Sequence, residues 1–335
     1  MEGHRLSYKT EHEAFVSGNQ GSTVFEIVLV CASYPTCVFL RHSLKQYQHI
    51  WLQFLLDYMT IVLPPLLSCT LLSSHLWPTM ITMVLVGSVI KKNALEDLLK
   101  VLPKSGIPGF LKLISSLLNQ SEIPLVRYII TQFRAFALVS TGIAILAVDF
   151  VVFPRRYCKT ETYGTGLMDI GVGVFIFVNG ISSAEARGKF ALDRGSKSKY
   201  LLKSIKQAAP LLILGLLRVL TVKTADYHEH VSEYGLALNI LGLCSTVATG
   251  FAYIIFHKVP ASGVIPEHGV LLAAINMNGL FYFMLANIFT GLINLSMETI
   301  VASPVVAYCT LIGYLFVLSF IIMCLYVYKI KVKFW

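Results

Sequence analysis

Between residues 149 and 164 the chain reads Asp149-Phe-Val-Val-Phe-Pro-Arg-Arg-Tyr-Cys-Lys159-Thr-Glu161-Thr-Tyr-Gly164. Two carboxylates, two guanidiniums and an ammonium surround a proline there, where one apolar run ends and another is about to begin. Ionisable groups are costly at a membrane boundary, so a dense cluster of them points to function. Asp149 stands four residues ahead of Phe153-Pro154, and a proline cannot continue a regular helix without losing a backbone bond. The chain is therefore expected to leave its helix at Pro154. Lys159 follows ten residues after Asp149, far enough for the chain to fold back over the helix mouth. A carboxylate beside an ammonium in a half-desolvated pocket can act as a general base toward a hydroxyl. The same pair can instead be a structural ion pair closing the helix end, and spacing does not choose between them. Arg155 and Arg156 suit a phosphate, bound by charge-assisted and two-pronged bonds, or else rest on lipid headgroups. Glu161 can pair with either arginine.

Asp169 lies in the next apolar run, in Leu-Met-Asp-Ile-Gly-Val-Gly-Val, and a carboxylate there must face the interior of a helix bundle. A second polar loop reads Thr224-Ala-Asp226-Tyr-His228-Glu229-His230-Val-Ser-Glu233-Tyr-Gly235. His228 and His230 are two apart, which does not place them on one helix face, and no H-E-x-x-H helix follows. No metal is expected; a substrate-binding loop fits better, beside the plain alternative of a solvated loop. Asn276, Asn278, Asn287 and Asn294 fall in a long apolar segment, where buried amides join helices more often than they touch ligands.

These residues must be held by membrane helices. The chain has 335 residues, 56% hydrophobic and only 13% charged, whereas a soluble domain carries about 25% charged residues. The net charge of +9 is spread between apolar spans and forms no continuous basic face, so nucleic acid is not the expected partner. Six of seven cysteines fall inside apolar spans, with no spacing that suggests disulfides or zinc. The N-terminal residues lack the basic-then-apolar order of a cleavable signal, so the first apolar span is expected to direct insertion. Apolar runs predict an all-α, polytopic membrane bundle of about nine helices, near 23–40, 51–73, 76–90, 135–153, 166–183, 208–222, 236–256, 268–293 and 305–328. They form a single membrane domain over 1–335. Within it, 91–134 reads as amphipathic helices on the membrane surface, broken at Pro103 and Pro108.

Loop charges set the orientation. With the N-terminus outside the cytosol, the inner loops carry about 20 Lys and Arg against about 6 on the other face. Loops 154–165 and 223–235 then emerge together on the non-cytosolic face and can build one site. The tail Lys-Ile-Lys331-Val-Lys333-Phe-Trp335 is similar to a dilysine signal for retrieval to the endoplasmic reticulum.

The run from Phe153 to Gly173 resembles the inositol acyltransferase family of glycosylphosphatidylinositol (GPI) anchor biosynthesis. Asp226-Tyr-His-Glu-His-Val-Ser-Glu-Tyr-Gly235, Phe15-Val-Ser-Gly-Asn-Gln-Gly-Ser-Thr23 and Asn278-Gly-Leu-Phe-Tyr-Phe support it. The resemblance implies a multi-pass enzyme of the endoplasmic reticulum membrane, N-terminus lumenal and C-terminus cytosolic. It would move an acyl chain from acyl-coenzyme A, with palmitoyl-coenzyme A the expected donor, to the inositol of glucosaminyl-phosphatidylinositol. By the same resemblance Asp149 and Lys159 are catalytic, Asp149 as the base and Lys159 as its orienter or the oxyanion donor. Arg155, Arg156 and the second loop, with Asp226, His228, Glu229 and His230, would hold phosphates, and Glu161 and Asp169 complete the expected substrate-binding set. No bound cofactor is expected.

The family's Ser-Glu-Tyr-Gly run typically continues into His-Trp-Asn and further membrane segments. Here Gly235 runs into Leu236-Ala-Leu-Asn239. A helix block after 235 is therefore expected to be missing, in a chain about a third shorter than full-length members. Two other readings stay open. One is a transporter of a polar substrate, which would suit Asp169 and broken helices; the other is a catalytically inactive shortened member.

Overall fold

The computed structural model of the chain describes residues 11, 14–15, 17–90, 122–160, 164–171, 174 and 269–332, with backbone alone for 122–130. Helix α1, Val24–Ser43, starts where the Thr23 hydroxyl accepts the Glu26 backbone N–H at 3.2 Å, an N-cap for one unpaired donor of the first turn. Arg41 and His42 sit in its last turn, where positive charge meets the unpaired carbonyls. Helix α2, Ile50–Cys69, widens into a π turn over Tyr58–Val62. Pro64 and Pro65 follow and have no N–H to return to the preceding turn, which relaxes the regular bonding there. Helix α3, Leu76–Ile90, lies along α1, and Gly87 admits the Phe39 ring, which a Cβ would meet at 2.6 Å.

Helix α4, Glu122–Ala147, packs against α5 (Val270–Met277), α6 (Gly279–Ser296) and α7 (Pro304–Val327). Ser303 caps α7 and Pro304 fills its first turn, where a missing N–H costs nothing. Trp51, Phe54 and Tyr58 of α2 stack on Phe316 and Phe320 of α7, and the Tyr58 hydroxyl donates to the Ile312 carbonyl at 2.7 Å. Four helices, Val24–Ser43, Ile50–Cys69, Gly279–Ser296 and Pro304–Val327, are long and apolar enough to cross a membrane. Among the described residues the fold is helical, with a single isolated backbone bridge between Ser22 and Thr165.

The spans expected near 23–40, 51–73, 76–90 and 305–328 lie where helices form. Two boundaries differ. The span expected at 135–153 starts at Glu122, inside the stretch read as lying on the membrane surface, and ends at Ala147. Arg127 and Arg134 lower its hydropathy, but arginine is a good helix former and the backbone stays helical across both. The span expected at 268–293 is two helices. Asn278 interrupts them because its side chain serves the tail, donating to the Ile330 carbonyl at 3.0 Å and accepting from Val332 N–H at 2.9 Å. The helices expected at 208–222 and 236–256, most of that at 166–183, and the break after 235 lie outside the described residues.

At the end of the bundle away from Asp149, Arg41 of α1 and Asp57 of α2 form an ion pair, side chains 5% and 0% exposed. Asp57 also accepts the Leu271 N–H of α5 at 2.9 Å, so one carboxylate ties three helices together. A buried charge that loses its partner costs about 3–5 kcal/mol, whereas removing both charges can be nearly neutral. Asp57→Ala is therefore expected to lower stability by about that amount, and Arg41→Met with Asp57→Leu to recover part of the loss, read by thermal unfolding in detergent. Equal losses from the single and double variants would show that the two charges do not compensate each other.

Candidate active site

Three helix ends meet at the other end of the bundle: the start of α1 and the ends of α4 and α6. After Ala147 the chain winds down in tight turns, with Asp149 N–H bonded to Leu146 O, Phe150 N–H to Ala147 O and Phe153 N–H to Phe150 O. Arg155 then folds back under the helix. Its Nη2 donates to the carbonyls of Val148 at 2.7 Å, Phe150 at 3.2 Å and Phe153 at 3.2 Å. These carbonyls lie past the last turn of α4, where a guanidinium adds a donor and opposes the negative end of the helix. Its Nη1 is buried and unbonded, and the guanidinium lies 3.9 Å over the Phe15 ring.

Asp149 is 7% exposed, and its Oδ2 accepts a hydrogen bond from Asn294 Nδ2 of α6 at 2.8 Å. Its charge acts on both Arg155 and the Cys158 thiol. Lys159, the next residue, is half-buried. The returning loop brings Cys158, the residue before Lys159, within electrostatic reach of the carboxylate.

Arg156 points the other way, to α1. Its Nε donates to Glu26 Oε1 at 2.8 Å, Tyr157 OH donates to the same oxygen at 2.8 Å, and Ser22 Oγ bonds the second oxygen. Partial burial lowers the Arg156 guanidinium, but the bonds and charge of Glu26 more than offset this and raise it. The Arg156 side chain keeps 38% of its surface exposed, so one edge still faces outward. Burial, and then the bond to Glu26, hold the Tyr157 phenol above its usual range.

Asp169 serves the loop. Its Oδ2 accepts from Gly166 N–H at 3.0 Å, Thr160 N–H at 3.2 Å and Thr160 Oγ1 at 3.1 Å. A carboxylate three residues into a helix that reaches back to the first backbone N–H is one half of a capping box. The loop is then zipped to the N-terminal segment: Ser22 N–H donates to Thr165 O at 2.7 Å, and the Thr165 hydroxyl to Ser22 O. Such close approach requires glycine. A Cβ on Gly166 would sit 2.0 Å from Cys158 O, and Gly21 combines φ +81° with Thr165 backbone atoms at 2.8 Å.

Of the expected site residues, Asp149, Lys159, Arg155, Arg156 and Asp169 belong to this one end of the bundle. Glu161, Asp226, His228, Glu229 and His230 lie outside the described residues. Glu26, Ser22 and Phe15 escaped the reading of site chemistry, since a Glu in the first turn of an apolar helix looks like an ordinary dipole partner. Asn294, read as a packing amide, touches the central carboxylate; its only signal in the sequence was an amide near the end of an apolar run.

The GWT1 family model matches residues 8–265 and 257–325 of the chain. GPI-anchored wall transfer protein 1 of Aspergillus oryzae is 36% identical over 244 residues, which is 70% of this chain and 49% of that protein. Glucosaminyl-phosphatidylinositol-acyltransferase PIGW of Homo sapiens is 34% identical over 243 residues, 70% of this chain and 47% of that protein. The phosphatidylinositol-glycan biosynthesis class W protein of Dictyostelium discoideum is 29% identical, covering 92% of this chain and 68% of its own. The chain thus spans about half the length of the first two.

Cys158 is the thiol of the motif, and it is 2% exposed. Burial pushes its thiol up to about 11; Arg155 pulls it back and the carboxylates of Asp149 and Asp169 push it further. At neutral pH only about one thiol in ten thousand is then ionised, which disfavours an acyl group carried on sulfur. Cys158 is expected to resist N-ethylmaleimide at pH 7.5 until the protein is unfolded, as read by peptide mass mapping. Gly166→Ala, by displacing the Cys158 carbonyl, should open the thiol to labelling at least about ten-fold faster. Rapid labelling of the parent would refute a protected, protonated thiol.

Proposed function

The chain belongs to the GWT1 family, and from that premise we propose that it transfers a fatty acyl group from acyl-coenzyme A to an inositol hydroxyl of glucosaminyl-phosphatidylinositol. The observation that carries this reading is the buried carboxylate of Asp149 at a membrane-helix end, with the family's Arg-Arg-Tyr-Cys-Lys loop folded back onto it. The PIGW relative is named as an acyltransferase of glucosaminyl-phosphatidylinositol. The site lies on the lumenal face of the endoplasmic reticulum membrane, with the basic tail in the cytosol.

In the reaction, Asp149 takes the proton of the inositol hydroxyl as its oxygen attacks the thioester carbonyl carbon. Lys159 faces the developing oxyanion or holds Asp149 in place. The carbon–sulfur bond breaks as the tetrahedral intermediate collapses, the coenzyme A thiolate leaves with the proton, and an inositol ester remains. A buried base suits this step because water competing for the acyl group is excluded. The outward edge of Arg156 serves the lipid phosphate, with Asp226, His228, Glu229 and His230 of the second loop on the same face. Arg155 spends most of its donors on the end of α4, so its contribution is to hold Asp149's turn, with Nη1 left for an oxyanion.

The test is rescue of inositol acylation in cells lacking the endogenous acyltransferase. The parent chain is expected to restore acylated product, and Asp149→Asn and Lys159→Ala to lower it by at least about 100-fold at equal expression. A well-expressed parent that yields no acylated product would overturn the proposal.

A further inference from the structure

Four asparagines lie in the C-terminal apolar segment, and three spend their amides on backbone. Asn276 donates to Thr131 O at 2.6 Å and to Leu272 O at 3.0 Å, Asn278 to Ile330 O, and Asn287 to Phe283 O of its own helix at 2.7 Å. Asn294 differs. Its Nδ2 reaches a side-chain carboxylate, that of Asp149, across from a helix 145 residues away in sequence. Asn276 of α5 bonds Thr131 O of α4, and Asn294 near the end of α6 bonds Asp149 just past the end of α4, so the α5–α6 segment and α4 run in the same direction toward the site. We propose that Asn294 is the positioning residue of this enzyme: its amide fixes the rotamer of Asp149 and keeps that carboxylate ready to accept a proton. This rests on the acyl-transfer reading above for the use to which Asp149 is put, but the contact itself does not.

The physical case is short. A carboxylate 7% exposed has little water to stabilise its charge, and each N–H donor it gains favours the ionised form. Among the titratable groups around it, Arg155 and Cys158 come from the loop after α4, and Lys159 stands beside Cys158. Asn294, from α6, adds a donor without adding a charge. It is itself exposed, so the bond links the buried carboxylate to the surface of α6. A packing amide would bond backbone, as its three neighbours do. A donor that meets a general base directly controls both its direction and its proton affinity.

The experiment uses the full chain in detergent and reads two quantities. One is the pH profile of acyl transfer; the other is modification of Asp149 by dicyclohexylcarbodiimide, which reacts with the protonated carboxyl and is followed by peptide mass spectrometry. Asn294→Leu is expected to lower kcat by roughly ten- to a hundred-fold with KM within about two-fold, since only part of the base's contribution is lost. Losing the donor destabilises the charged form, so the acid limb and the modification midpoint should both move up by about one pH unit. Asn294→Gln, which keeps the amide, should recover much of both, and Asn287→Leu, on the same helix, should move neither. Unchanged kcat and an unchanged midpoint in Asn294→Leu would overturn the proposal, as would an equal shift in Asn287→Leu. If Asn294→Leu fails to fold, Asn294→Ala takes its place: a midpoint about one unit above the parent supports the proposal, and an unchanged midpoint overturns it. A parent with no acyl transfer but with the midpoint shift in Asn294→Leu would leave the positioning role standing and sink the acyl-transfer reading instead.

Discussion

A carboxylate removed from water has to be met by donors, and three aspartates here are each less than a tenth exposed: Asp57, Asp149 and Asp169. In a chain only 13% charged, these groups cannot be sheltered by chance. Each draws donors from elsewhere, and in doing so each fixes a piece of architecture. Asp57 holds Arg41 and the first turn of α5, Asp149 holds α6 through Asn294, and Asp169 holds Thr160 and Gly166. Hydrophobic contact alone would leave lipid-facing helices free to slide, because lipid competes equally for apolar surface. The polar contacts set register.

The division of labour between the two ends of the bundle follows from how those charges are balanced. Asp57 meets a full positive charge and a helix N-terminus, so its charge is neutralised and its place is structural. Asp149 meets a neutral amide, with a guanidinium nearby that is mostly committed to backbone carbonyls. Two aspartates of similar burial thus hold different elements through their partners.

The N-terminal segment is part of this site. Ser22 pairs with Thr165, Glu26 gathers Arg156 and Tyr157, and the Phe15 ring lies against Arg155. The polar stretch preceding the first span therefore braces the loop that carries Lys159. Its glycines admit backbone against backbone, which explains why a Gly-rich opening and a Gly-rich loop occur so far apart in one sequence.

The amino-acid sequence by itself determined that the chain is helical and membrane-bound, because runs of apolar residues long enough to cross a bilayer have no other stable form. It also marked the candidate site by residue type, an acid before Pro154 and a base after it, but not the helix end: the exit expected at Pro154 comes at Ala147, ahead of Asp149. Only the tertiary structure decided who meets whom. That Arg156 serves Glu26, that Asp169 closes its own loop, and that Asn294 rather than another amide reaches Asp149 depend on which helix faces are adjacent. Hydropathy reports burial without direction, so an amide near a helix end reads alike whether it packs or positions. The break at Asn278 and the early start of α4 were hidden for a related reason. The first rests on contacts with distant backbone and the second on a helix that continues through two arginines, and neither leaves a trace in the local pattern of apolar residues.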